Sequence, residues 1–156
     1  MILLTTTSDK LQLITSSGAD VDVHATFVDL SGTTVTPSRL NSLITTATTT
    51  DIVTSPASST SRTVKSIFIR NVDPTTSNDV TVQHTDGTNV VEFIKVTLLA
   101  NYVLHYDEGA GFEVLDSNGR SLQNSSFNGS GAAVNALNLV VLSADVINKP
   151  LYNSNV

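Results

Sequence analysis

Residues 20–29, DVDVHATFVD, alternate apolar and polar side chains over most of their length. Val21, Val23, Ala25 and Phe27 fall on one face of an extended chain. Asp20, Asp22, His24 and Thr26 fall on the other. Side chains of a strand point to opposite faces with a period of two, so this stretch predicts a half-buried β-strand. The composition around it agrees. Thr and Ser together make up about a quarter of the chain, and β-branched Thr favours a pleated, half-buried surface. Charged residues are 14%, against about 25% in an average domain. The Lys, Glu and Arg that cover soluble helices are scarce, which argues for an all-β protein.

Further strands are predicted at residues 2–7, 10–15, 33–36, 47–54, 62–72, 79–85, 89–98, 102–106 and 112–115. The signals that separate them are Ser16-Ser17-Gly18, Ser31-Gly32, Pro37, Pro56, the loop 73–78, Asp86-Gly87, Asp107–Gly111 and Asn118-Gly119. Leu40, Leu43 and Ile44 have the spacing of one helical turn, and the Thr run behind them cannot extend it. Ile67, Phe68 and Ile69 in succession predict a strand segment buried on both faces. About eight to ten short strands at roughly ten-residue spacing are the pattern of an antiparallel β-sandwich or jelly roll.

After Arg120 the character changes. A Gly- and Ser-rich stretch leads to the apolar run Ala136, Leu137, Leu139, Val140, Val141, Leu142 and then to Pro150-Leu151-Tyr152. The expected organisation is a β-sandwich domain over 1–120 and a linker with an apolar C-terminal arm over 121–156. In an arm, Leu137, Leu139, Val141, Leu151 and Tyr152 are the candidate partner-binding residues. The alternative is a last strand of the same sandwich.

Several function classes lose support. The net charge is −6, and the eight Lys and Arg are scattered along the chain, so no basic stripe awaits nucleic acid. There is no cysteine, which removes disulfides and Cys-based zinc sites. No apolar run approaches the ~18 residues of a membrane span, and MILLTTTSDK lacks the pattern of a secretory signal. His24, His84 and His105 lack the short paired spacing of metal ligands. Asp20 and Asp22 stand outside any EF-hand-like spacing. Serines are abundant but no GxSxG elbow is present, and the carboxylates Asp107, Glu108 and Glu113 would need a particular opposition to act as a glycosidase pair. The chain has no Trp and three Tyr, Tyr102, Tyr106 and Tyr152, a thin set for stacking sugars. The cluster His84-Thr-Asp86-Gly87 predicts a hairpin turn, since Asp-Gly between alternating runs suits positive φ at the glycine, with His84 partly buried on the Val80/Val82 face and satisfied by a backbone partner. No catalytic residue, no metal and no cofactor is expected.

Four segments carry a resemblance: SPASSTSR at 55–62, the strand ending in Ile69-Arg70-Asn71, the TVQHTDGT hairpin at 81–88, and GAGFEVLDSNG at 109–119. Over roughly residues 10–120 the chain resembles small structural proteins encoded by tailed bacteriophages. That resemblance implies a non-enzymatic virion component, made in the host cytoplasm. The first expectation is a capsid decoration, or cement, protein that binds and stabilises the assembled shell. Its partners would be the major capsid protein or other virion proteins, and it would act as a homo-oligomer, a trimer before other states. Neck, tail and receptor-binding fibre positions are the alternative. The family pattern tends to stop near the LDSNG segment, so the residues after Ser121 depart from it.

Overall fold

The computed structural model describes residues 1–122. Ten strands form among them: β1 (Ile2–Leu4), β2 (Lys10–Thr15), β3 (Val21–Ser31), β4 (Thr34–Ile44), β5 (Thr49–Val53), β6 (Thr60–Asn71), β7 (Asn78–Thr85), β8 (Val90–Leu98), β9 (Val103–Asp107) and β10 (Gly111–Leu115). They pair antiparallel in two sheets. One has the order β10-β9-β6-β3-β4, with β1 also paired to β6; the other has the order β5-β2-β7-β8. The chain is all-β, built as a sandwich of these two sheets. Residues Met1–Arg120 form one compact unit.

The alternation in β3 places its residues as expected. Val21, Val23, Ala25 and Phe27 are buried against Leu11 and Leu13 of β2, Val80 and Val82 of β7, and Ile67 and Ile69 of β6, within one core. Each such Val or Phe contributes about 1.5–3 kcal/mol on leaving water. β3 is central in its sheet, paired to β6 on one side and β4 on the other.

Three expectations fail, each for a physical reason. Pro37 does not stop a strand, and Leu40, Leu43 and Ile44 make no helical turn: β4 runs unbroken from Thr34 to Ile44. β4 is the outermost strand of its sheet, where a missing N–H costs no ladder bond if it faces outward. Ile67, Phe68 and Ile69 are not buried on both faces. Ile67 and Ile69 point into the core, whereas Phe68 is 42% exposed. Finally, the first strand ends at Leu4 rather than residue 7, because Asp9 turns the chain: its Oδ2 accepts hydrogen bonds from the Thr5 and Thr6 N–H groups at 2.6 and 2.9 Å.

A β-bulge in β6 decides which residues face the core. Thr26 is opposite Ser66 and Phe27 is opposite Val64, so Lys65 has no partner on β3. One extra residue reverses inward and outward beyond it. Thr60, Arg62 and Val64 point inward before the bulge, and Ile67, Ile69 and Asn71 after it.

Arg62 is therefore an inward-facing cation. Its Nε and Nη2 donate to both carboxylate oxygens of Asp29 at 2.7 and 2.8 Å. Nη1 donates to the Thr54 carbonyl at 2.7 Å, and the guanidinium lies 3.9 Å from the centroid of the Phe27 ring. A planar fork on a carboxylate is the arrangement that makes a buried arginine tolerable. At the opposite end of the sandwich two buried asparagines satisfy loop carbonyls. Asn71 Nδ2 donates to Thr76, Leu98 and Leu99; Asn78 Nδ2 donates to Ala19 while its Oδ1 accepts from the Ser16 N–H.

Removing one partner of the Arg62–Asp29 pair leaves the other charge half-buried and alone. Arg62→Ala and Asp29→Ala should each lower stability by about 3 kcal/mol. The double variant should cost clearly less than their sum, because the two substitutions remove one shared interaction. Urea midpoints at unchanged slope would measure this; additive losses would show that the pair does not couple.

Candidate docking surfaces

The Asp86-Gly87 segment is a hairpin turn between β7 and β8. Asp86 Oδ1 accepts from the Thr88 and Asn89 N–H groups at 2.8 and 2.6 Å, and Gly87 has φ +91°. These N–H groups, that of Asn89 above all, hold the Asp86 carboxyl down at about 2. The aspartate is consumed in shaping the loop.

His84 does face inward with Val80 and Val82, but its backbone partner is not found. Nε2 is buried without a hydrogen-bond partner among the described residues. Asp9 Oδ1 stands 3.7 Å away, too long for a hydrogen bond. The imidazole lies nearly parallel to the Phe93 ring, with centroids 6.3 Å apart.

His84 and Phe93 form part of a cavity of about 510 Å³ whose lining also includes Met1, Ile2, Leu3, Glu92, Tyr106 and Phe112. Strands of both sheets contribute, so the cavity opens between them where β8 and β10 are the outer strands. Tyr106 is 3% exposed, and its hydroxyl makes no well-formed hydrogen bond among the described residues, with the Ile2 backbone near it. Burial pushes the Tyr106 hydroxyl up; the nearby Ile2 backbone opposes this and the Glu108 and Asp107 charges add to it. Tyr102 is only partly exposed and packs on the core, so the two tyrosines do not make the open sugar-stacking pair that the sequence allowed.

A second surface is the outer face of the six-stranded sheet. The register aligns Asn41, His24, Phe68, His105 and Glu113 in one row across β4, β3, β6, β9 and β10. The row is bonded at both ends. His24 Nδ1 meets Asn41 Oδ1 at 2.6 Å, and His105 Nδ1 meets Glu113 Oε1 at 3.2 Å. In the middle the Phe68 and His105 rings stack at 4.2 Å. Beside the row, Asp22, His24, Asn41, Leu43, Phe68 and Arg70 line a groove of about 280 Å³, and Leu43 is 79% exposed.

The row brings two of the three histidines into one line but keeps them two strands apart, with Phe68 between them; His84 belongs to the other sheet. No group of three or more His, Asp or Glu among the described residues is placed to hold a metal ion. Of the carboxylates considered for catalysis, Glu108 pairs with Lys65 and Glu113 with His105. Leu137, Leu139, Val141, Leu151 and Tyr152 lie outside the described residues. Sequence reasoning missed Phe68 and Leu43 as exposed apolar residues, and the non-local cavity as well. Comparisons with protein-family models, curated proteins and solved structures return no match.

Asp9 links the first turn to the cavity wall and yields a pH test. Burial raises its carboxyl, but the Thr5 and Thr6 N–H groups together with His84 outweigh that and leave it below its ordinary 3.8. A depressed carboxyl stabilises the fold above its unfolded value and loses that contribution as pH falls through the folded one. Asp9→Asn should melt below the wild type from pH 7 to pH 5. The gap should close as the pH drops below about 3.8; thermal melts showing a pH-independent gap would refute it.

Proposed function

We propose that this protein is a non-enzymatic structural component of a tailed-phage virion, a decoration or cement protein that binds the assembled capsid shell and stabilises it. The observation that carries this reading is the row centred on Phe68. An exposed aromatic ring, held by stacking on His105 and flanked by Leu43, Arg70 and Asn41, has the anatomy of an interface anchor. Its neighbours are hydrogen-bonded to one another, so little side-chain entropy is lost when a partner covers them. A stiff, weakly charged sandwich offers such a face without needing to move. The resemblance of residues 10–120 to tailed-phage structural proteins supplies the partner class. The apolar C-terminal residues Leu137, Leu139, Val141, Leu151 and Tyr152 are proposed as a second contact, reaching beyond the sandwich.

The deciding measurement is copy number in purified particles, by quantitative mass spectrometry against the major capsid protein. A ratio near one, or one to a few, is expected for a protein that covers the shell. About a dozen copies or fewer, as a closed ring at a single site would hold, would transfer the protein to the neck, tail or fibres. Absence from particles would overturn the virion reading. On shells lacking the protein, Phe68→Ala should bind about 30-fold more weakly than wild type, the effect of losing an anchor worth ~2 kcal/mol. Equal binding would remove this face from the interface.

A further inference from the structure

β8 is a nine-residue outer strand. No described strand pairs with its outer side, and Val90, Val91 and Phe93 are 56%, 53% and 40% exposed. Proteins normally blunt such an edge with charge, proline or a bulge turned outward, because its free N–H and C=O groups recruit another strand. β8 carries only Glu92 and Lys95, which cancel, and no proline; its one bulge, where Phe93 stands unpaired between Glu92 opposite Gln83 and Ile94 opposite Val82, interrupts the edge at a single residue. Beside it opens the cavity of about 510 Å³, within the range of built ligand sites. Its lining joins apolar Ile2, Leu3, Phe93 and Phe112 to His84 and Glu92, and the buried hydroxyl of Tyr106, which has only the Ile2 backbone near it and no well-formed hydrogen bond among the described residues, is part of it. A buried hydroxyl without a partner costs about 1–3 kcal/mol, a cost that a carbonyl oxygen entering the cavity would relieve.

Edge and cavity together ask for one kind of occupant. It must be an extended polypeptide, to satisfy the edge. It must be uncharged, since the edge has no net charge to offer. It must also alternate apolar side chains that can enter the cavity beside Phe93. Residues 132–142 of this chain, AAVNALNLVVL, contain no charged residue, and Leu137, Leu139 and Val141 recur at the spacing of one strand face. They follow a polar, Gly- and Ser-rich stretch from Ser121. The fifteen residues from 121 to 135 that precede residue 136 are enough chain to span about 50 Å when extended, further than the diameter of a small domain.

We propose that residues 136–142 of a second copy of this chain add to the β8 edge as a strand and place a leucine in the cavity under Tyr106, so that successive copies join by exchanged arms. Donor and acceptor are different surfaces. Exchange between two copies closes reciprocally as a dimer, and head-to-tail exchange closes as a ring such as a trimer. The inference concerns self-association alone and holds whether or not the shell is the partner.

The test uses the purified full-length chain and two variants with one damaged surface each. Leu139→Asp disables the donor; Phe93→Asp disables the acceptor edge. In analytical ultracentrifugation the wild type should sediment as a closed oligomer and each variant alone as a monomer. An equimolar mixture of the two variants should form heterodimers and nothing larger, because one sound donor then meets one sound acceptor and the chain of contacts stops. Tyr106→Phe should weaken wild-type association about threefold or more without lowering the melting temperature of the monomer. A monomeric wild type would overturn the proposal, as would variants that associate like the wild type. So would a mixture that stays monomeric while both variants keep the wild-type circular dichroism spectrum. Failure here leaves the copy number on particles untouched, so the two readings fall separately.

Discussion

One unpaired residue in β6 sets the character of both faces of this protein. Lys65 has no partner on β3, so the side chains after it are inverted relative to those before it. Without that step an unbroken alternation inward from Arg62 and Val64 would bring Ser66 and Phe68 into the core. Ile67 and Ile69 would then stand in water. With it, two isoleucines complete the core and Phe68 emerges between His24 and His105. The bulge also frees the Lys65 side chain to meet Glu108 just past the end of β9, where the Glu108 N–H donates to the Lys65 carbonyl. The outer row and the inner core are thus two consequences of one register shift. Neither could be moved by a residue without losing the other.

The sandwich was largely legible in the sequence and its surfaces were not. β3 could be read because a central strand of a two-layered fold sees core on one face and water on the other, which writes period two directly. The β7–β8 hairpin could be read because Asp86-Gly87 meets a local backbone requirement. Errors arose where the deciding constraint was distant. Pro37 signals an ending only if the strand needs its N–H, and the position of β4 at the edge removed that need. Phe68 sits in a run that reads as doubly buried until the bulge is known. The cavity joins residues from β1, β7, β8, β9 and β10, and no spacing along the chain encodes such a meeting. Arg62 and Asn71, which the sequence offered as a scattered cation and a strand end, are buried polar groups whose partners lie on other elements.

The polar groups of the interior fall into two kinds. Arg62, Asn71 and Asn78 are matched: each has several partners and ties loops or strands at one end of the sandwich. Such groups are tolerated because their hydrogen bonds replace water, and they favour one register over its neighbours. His84 Nε2 and Tyr106 Oη are unmatched among the described residues, and both contribute to the cavity beside β8. Phenylalanine in place of Tyr106 would remove one of these two unmatched atoms; the third buried atom without a partner, Ser55 Oγ, is not part of the cavity lining. The Tyr106 hydroxyl, kept beside the cavity, is placed for use when that space is filled.

The two surfaces also differ in how they would bind. The Phe68 row is a flat array of side chains already bonded to each other, so it offers shape, one aromatic anchor and little unpaired backbone. That suits a partner that is itself folded and rigid. β8 offers unpaired backbone and a hole, which a flat partner cannot fill. An extended segment can do so, and it must give up its conformational freedom in the process, at roughly 1–2 kcal/mol per ordered backbone residue. Backbone hydrogen bonds and leucine burial must repay that cost, which favours a segment presented at high local concentration by neighbouring copies over one arriving free from solution. The Phe68 row and the β8 edge belong to different sheets, so a partner covering one leaves the other open.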